Sequence, residues 1–257
     1  MTHQFEFVQH LGEGTYGSVD LVRRRSDARL LIMKMNLTES TEEIFMRETK
    51  LMQRLFRFNN AHCHPYVSCY AGSGYDPITQ RSFLLMALNG MTYEPHNIYP
   101  LMAFLDSGRR LTETHCMKLT YELLEGVLFI HDAGIAHGDL HANNIMVQVN
   151  EEDYSLYIID FGMGCDDDAD CSTVNLKKAQ DIDWMFVGIT LTRLWQQQRH
   201  HVQLKRATMD FLSQLQKYET PMRRTDIANF AHTIAIWLRQ NGSRASLRQT
   251  QRRLTLR

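Results

Sequence analysis

The residues in this chain best suited to chemistry stand in two short loops. The first, His137-Gly138-Asp139-Leu140-His141-Ala142-Asn143-Asn144, follows an amphipathic helical run and precedes the apolar Ile145-Met146-Val147. Asp139 and Asn144 can therefore point two oxygen-bearing side chains into one cleft. A carboxylate there can take a proton from an attacking hydroxyl, and the Asn carbonyl can ligate a hard cation such as magnesium. The second loop, Asp160-Phe161-Gly162, follows the apolar Leu156-Tyr157-Ile158-Ile159. It adds a metal-ready carboxylate at a strand end, with a Gly that lets the chain turn sharply. Either loop alone is ordinary turn chemistry. Together, in this order, they point to a hydroxyl activated beside a metal ion.

Such groups need a scaffold and a phosphate-bearing partner, and residues 1–88 read as a strand-rich lobe with one helix. Gly12, Gly14 and Gly17, closed by Val19, form a GxGxxG-x-V run. Glycines there let backbone N–H groups approach phosphates. The run continues into an alternating strand instead of opening a helix, which separates it from dinucleotide-binding loops. Lys34 is the single charge in the apolar strand Leu30 to Met35. It reads as a cation for nucleotide phosphates, against the bland alternative of a snorkelling lysine. Glu48 lies on one helical stripe with Met52 and Leu55 and so faces the sheet, where it can orient that lysine. His62-Cys63-His64 reads as a helix-to-strand turn leading into a strand over Tyr66 to Tyr70, not as a metal cluster. A strand from Ser82 to Leu88 ends the lobe.

Asn89 to Pro100 reads as a hinge and loop, residues 101–242 as a mainly helical lobe, and residues 243–257 as a basic tail. Leu119, Leu123, Val127 and Ile130 give the buried stripe of one helix. Asp181 to Trp195 reads as a buried helix, with an aspartate at its start accepting backbone N–H bonds from a neighbouring loop. Asp166 to Asp170 reads as a solvated acidic loop, because it lacks the EF-hand spacing. The segment from Arg239 to Arg257 carries six Arg and no acid. It reads as a solvated end or as a docking arm for an acidic partner or nucleic acid.

Composition excludes some classes. The 257 residues are 44% hydrophobic and 22% charged, with a net formal charge of -1, which gives no reason to expect nucleic acid or a membrane surface as partner. No apolar run approaches the roughly 20 residues that a membrane helix needs. The opening residues do not resemble a signal peptide, and five scattered cysteines outside any CxxC pair suggest reduced thiols in an intracellular setting.

Taken in order, Gly12-x-Gly14-x-x-Gly17-x-Val19, Lys34, Glu48, His64-Pro65, His137-x-Asp139 with Asn144, Asp160-Phe161-Gly162 and the aspartate of the buried helix resemble the protein kinase superfamily. The resemblance covers residues 5 to about 195. It implies an α+β, two-lobed fold with a small antiparallel-sheet N-lobe and a shortened helical C-lobe. It also implies ATP and magnesium as cofactors and a protein as substrate. Lys34 would hold the nucleotide phosphates and pair with Glu48, Asn144 and Asp160 would bind magnesium, and Asp139 would be the catalytic base. Met86 falls at the gatekeeper position, and Ala87, Leu88 and Asn89 at the adenine-contacting hinge. Three departures stand out. Gly138 replaces the usual Arg, so no arginine there can clamp a phosphorylated loop. His141 replaces the usual Lys near the γ-phosphate, and Ile32 the Ala above the adenine. The HGDLHxxN form also resembles sugar, antibiotic and lipopolysaccharide kinases, so a small-molecule kinase and an ATP-binding scaffold remain rival readings.

Overall fold

The structure, a computed structural model, describes residues 4–14, 17–88, 97–151, 153–168, 171, 174–196, 203–217 and 219–241, the backbone alone for 203–205. Its contacts group into two compact units. One comprises Met1–His64, Ser68–Thr92 and Asp160–Gly164. The other comprises Pro65–Val67, Tyr93–Ile159 and Cys165–Arg257.

In the first unit, strands β1 (Phe5–Gly14), β2 (Gly17–Arg24), β3 (Leu30–Asn36), β4 (Cys69–Asp76) and β5 (Arg81–Ala87) form one antiparallel sheet in the order β1-β2-β3-β5-β4. Alternation along β3 sorts its side chains. Leu31, Met33 and Met35 join Phe5, Val22, Phe83 and Leu85 in a buried cluster on one face. Val19 pairs with Lys34, and Ile32 with both Leu21 and Met86, so these residues share the other face. Helix α1 (Glu42–Phe58) starts with two acids, Glu42 and Glu43, which suit the positive end of the helix dipole. It buries Phe45, Glu48, Leu51, Met52 and Leu55. A single large apolar stripe thus carries one buried carboxylate.

In the second unit, α2 (Leu101–Asp106) precedes α3 (Glu113–Asp132). Thr112 Oγ1 accepts from His115 N at 3.2 Å, and His115 Nδ1 accepts from Thr112 N at 3.3 Å, a reciprocal cap. Beyond α3, Gly134 at φ +70° takes the left-handed turn that stops the helix. The strand β6 (Ile98–Pro100) pairs with β8 (Ile145–Asn150), which pairs with β9 (Asp153–Ile158). Lys118 and Glu122, both buried, fasten α3 to β9. Lys118 Nζ donates to Asp153 Oδ2 at 2.7 Å and Tyr154 O at 2.6 Å, while Glu122 Oε2 accepts from Leu156 N at 2.8 Å. That anchoring positions the strand leading to Asp160. Two-residue β7 (Ile135–Ala136) pairs with β10 (Cys165–Asp166). Helices α4 (Leu176–Gln196), α5 (Gln203–Leu215) and α6 (Arg224–Asn241) complete the chain.

Several expectations need correction. α4 starts at Leu176, a turn and a half before Asp181, because Asn175 Oδ1 caps it by accepting from Lys178 N at 2.9 Å. Ile98–Pro100 is strand, not loop, since β8 offers it a partner. β4 begins at Cys69, and Val67 instead makes a single parallel bridge to Ile158. The cysteines are not all thiols. Cys63 is bridged to Cys69 and Cys165 to Cys171, with Cα separations of 5.2 and 5.1 Å that suit a disulfide, and buried Cys116 lies outside both bridges. Asn89, part of the expected hinge, and residues 243–257, the basic tail, lie outside the described residues.

Candidate active site

Lys34, Glu48 and Asp160 come together in the first unit. Lys34 Nζ donates to Glu48 Oε2 at 2.7 Å and to Asp160 Oδ1 at 3.0 Å. Lys34 is 5% and Glu48 1% exposed, whereas the Asp160 side chain is 40% exposed and open to a ligand. Burial opposes the Lys34 ammonium, but Glu48 and then Asp160 outweigh it and hold its pKa above the ordinary lysine value. Burial pushes the Glu48 carboxyl up; Lys34 opposes this and Asp160 adds to it, with a net rise. Two carboxylates face one ammonium, so with both ionised the trio carries surplus negative charge. A divalent cation would relieve that surplus, and a carboxylate oxygen is the donor magnesium prefers.

Asp160 itself is strained, with φ +65°, a left-handed conformation uncommon outside glycine. Gly162 N donates to Asp160 Oδ1 at 3.2 Å, and Gly164 N to Phe161 O at 2.9 Å, closing the turn.

The Gly-rich hairpin lies at the ends of β1 and β2, with Gly14 opposite Gly17. Among the described residues, a Cβ on Gly12 would meet nothing within 4 Å, and one on Gly14 only Gly17 O at 3.9 Å. Space above those two backbones is open, as a phosphate cradle requires. Gly17 differs. Its Cβ would sit 2.7 Å from Met35 O, so packing against β3 already requires glycine there. On the same sheet face, Met86 and Leu88 are buried, while Val19 and Ile32 are half-buried.

The loop after β7 is built in the second unit, around Asp183 of α4. Fully buried, Asp183 accepts from His137 N at 2.8 Å on Oδ2 and from Gly138 N at 3.0 Å on Oδ1. His131 Nε2 meets the same Oδ2 at 3.0 Å. The aspartate thus serves the neighbouring loop as expected, but from within the helix. Gly138 has φ +77°, a left-handed conformation that glycine adopts without steric cost. His137 Nε2 donates to Ile159 O at 2.9 Å, and its Nδ1 accepts from Asp139 N at 3.3 Å. Asn144 Nδ2 donates to Asp139 O at 2.8 Å and Asp139 Oδ2 at 3.0 Å. With the amide nitrogen engaged by the loop, the carbonyl oxygen is the end presented to a ligand, which again fits magnesium. His141 Nε2 lies 3.4 Å from Asp139 Oδ2, and both side chains are more than 40% exposed (42% and 43%).

His131 and Arg47 went unread in the sequence. His131 stands four residues past Val127 on the buried stripe of α3, a legible signal. Arg47 has no such signal; its partner, Gly162 O at 3.1 Å, is 115 residues away.

Comparison with known proteins gives a family for the chain. Residues 5–185 match the protein kinase domain family. The chain is 30% identical over 155 residues to dual specificity testis-specific protein kinase 2 of Homo sapiens, covering 60% of this chain and 24% of that protein. It is 29% identical over 172 residues to mitogen-activated protein kinase spm1 of Schizosaccharomyces pombe (63% and 36%), and 26% over 161 residues to mitogen-activated protein kinase 13 of Bos taurus (60% and 39%). The chain thus spans well under half the length of these relatives. Because the family match runs through both chemistry-bearing loops and covers most of the sequence, the chain belongs to the protein kinase domain family.

Proposed function

We propose that this chain transfers the γ-phosphoryl group of ATP to a Ser or Thr hydroxyl of a protein. The observation that carries the reading is the Lys34 ammonium held at 2.7 Å from Glu48 and 3.0 Å from Asp160. Lys34, oriented by Glu48, holds the nucleotide phosphates. Gly12, Gly14 and Gly17 cover them with backbone N–H groups, and Val19, Met86 and Leu88 line the base. Asn144 and Asp160 hold magnesium, which when bound neutralises phosphate charge. Asp139 orients the acceptor hydroxyl and takes its proton, and His141 donates a hydrogen bond to the transferring group. Little of this is covalent work; the barrier falls through positioning and charge stabilisation. The names of the relatives, which include dual-specificity and mitogen-activated protein kinases, support a protein acceptor.

The test is phosphoamino-acid analysis after incubation with γ-labelled ATP, magnesium and a mixed protein substrate. Label on phosphoserine or phosphothreonine is expected. Label only in a small metabolite would support the small-molecule reading that Gly138 and His141 suggest. Nucleotide binding without any transfer would support a scaffold.

A further inference from the structure

We infer that Arg47 is a positioning residue that holds the Asp160-Phe161-Gly162 turn in its magnesium-ready form, an inference that rests on the phosphotransfer reading. Adjacent residues of α1 reach the same turn by different routes. Glu48 acts through Lys34, which binds Asp160, and its carboxylate also accepts from the Phe161 backbone N–H. Arg47 acts directly, Nη2 donating to Gly162 O at 3.1 Å. A guanidinium–carbonyl bond is charge-assisted and stronger than a neutral one.

The turn needs such a hold. Asp160 at φ +65° persists only where its surroundings enforce it. The turn's own bonds, Gly162 N to Asp160 Oδ1 and Gly164 N to Phe161 O, are both internal and can move with it. Arg47, beside Glu48, ties it to α1 instead. That helix is itself fixed at its first turn. Glu42 Oε2 accepts from Asn36 Nδ2 of β3 at 2.5 Å, and Oε1 from Ser82 Oγ of β5 at 2.7 Å. The buried Nε of Arg47 has no hydrogen-bond partner among the described residues. A buried polar atom left in that state is costly, which argues that the side chain is placed for its Nη2 contact.

The test is binding of a fluorescent ATP analogue at varied magnesium concentration, with thermal melting as a check on folding. Removal of a group that orients a metal ligand typically weakens metal affinity 10–100-fold. Arg47→Met should therefore need about tenfold more magnesium for half-maximal enhancement of nucleotide binding, while magnesium-free binding stays within about twofold. Arg47→Lys, which keeps a cationic donor, should recover most of the loss. Arg47→Gln carries the same test should Arg47→Met not fold. An unchanged magnesium requirement, or equal losses with and without magnesium, would overturn the inference alone. Wild-type protein that binds nucleotide with no magnesium dependence would overturn the functional reading, and the inference with it.

Discussion

At the scale of single residues, the site rests on a buried ammonium between two carboxylates. Removing it should expose the charge imbalance. The Glu48 carboxyl titrates above its ordinary range in the folded chain, so its contribution to stability is greatest below that range and is lost as pH rises through the folded value. Lys34→Met deletes the cation that moderates this. It should cost roughly 3 kcal/mol near neutral pH, since breaking a buried pair strands its partner. The deficit should shrink as pH falls from neutral into the acid range, where Glu48 takes up a proton. Urea titrations of both proteins across that range would check it; a deficit that grows on acidification would contradict the charge argument. The glycines offer a second residue-scale contrast. Gly17→Ala pushes a Cβ against Met35 O and should destabilise by about 1–3 kcal/mol. Gly14→Ala has room and should leave stability within about 0.5 kcal/mol while weakening nucleotide binding. Melting and binding measured together separate the packing role from the cradle.

At the scale of elements, periodicity carried far. The β3 alternation and the α1 stripe placed Lys34 and Glu48 correctly, because each pattern obliges its side chain to face a shared interior. Periods fail where long-range partners decide. Ile98–Pro100 became a strand because β8 lay beside it, and Asn175 capped α4 earlier than Asp181 suggested. α5 was passed over, although Thr208, Phe211, Leu212 and Leu215 are buried at helical spacing. Disulfides were invisible for a related reason: a six-residue separation marks no known motif, and only the folded turns bring those Cα atoms together. Alkylation of unreduced, denatured protein should therefore label Cys116 alone; labelling of any other cysteine would refute the bridges. The glycine at 138 bears on the segment after Gly162. With backbone φ +77° filling the place of an arginine, that segment has no cationic clamp from this position. Phosphatase-treated protein from bacteria should keep its full transfer rate, and a rate restored only by an upstream kinase would count against this.

At the scale of the whole molecule, the order of the motifs was legible and their assembly only partly so. Sequence placed the second loop after the right strand, but the first follows the unread two-residue β7 and not the helix directly. It could not show that a short segment, Asp160–Gly164, packs with the first unit while its neighbours on either side belong to the second. Nor could it show the Arg47 contact, which depends on that packing. No helix among the described residues is long and apolar enough to cross a membrane. The central claim is that Asp139 acts on the acceptor while Lys34 and Asp160 serve the nucleotide. It is tested most directly by measuring γ-phosphoryl transfer and magnesium-dependent ATP binding on one preparation of Asp139→Asn. Binding should stay within about twofold of wild type and transfer should fall by about 10²–10⁴-fold, the usual worth of a positioned general base. Transfer at the wild-type rate would contradict it, as would loss of nucleotide binding in step with activity.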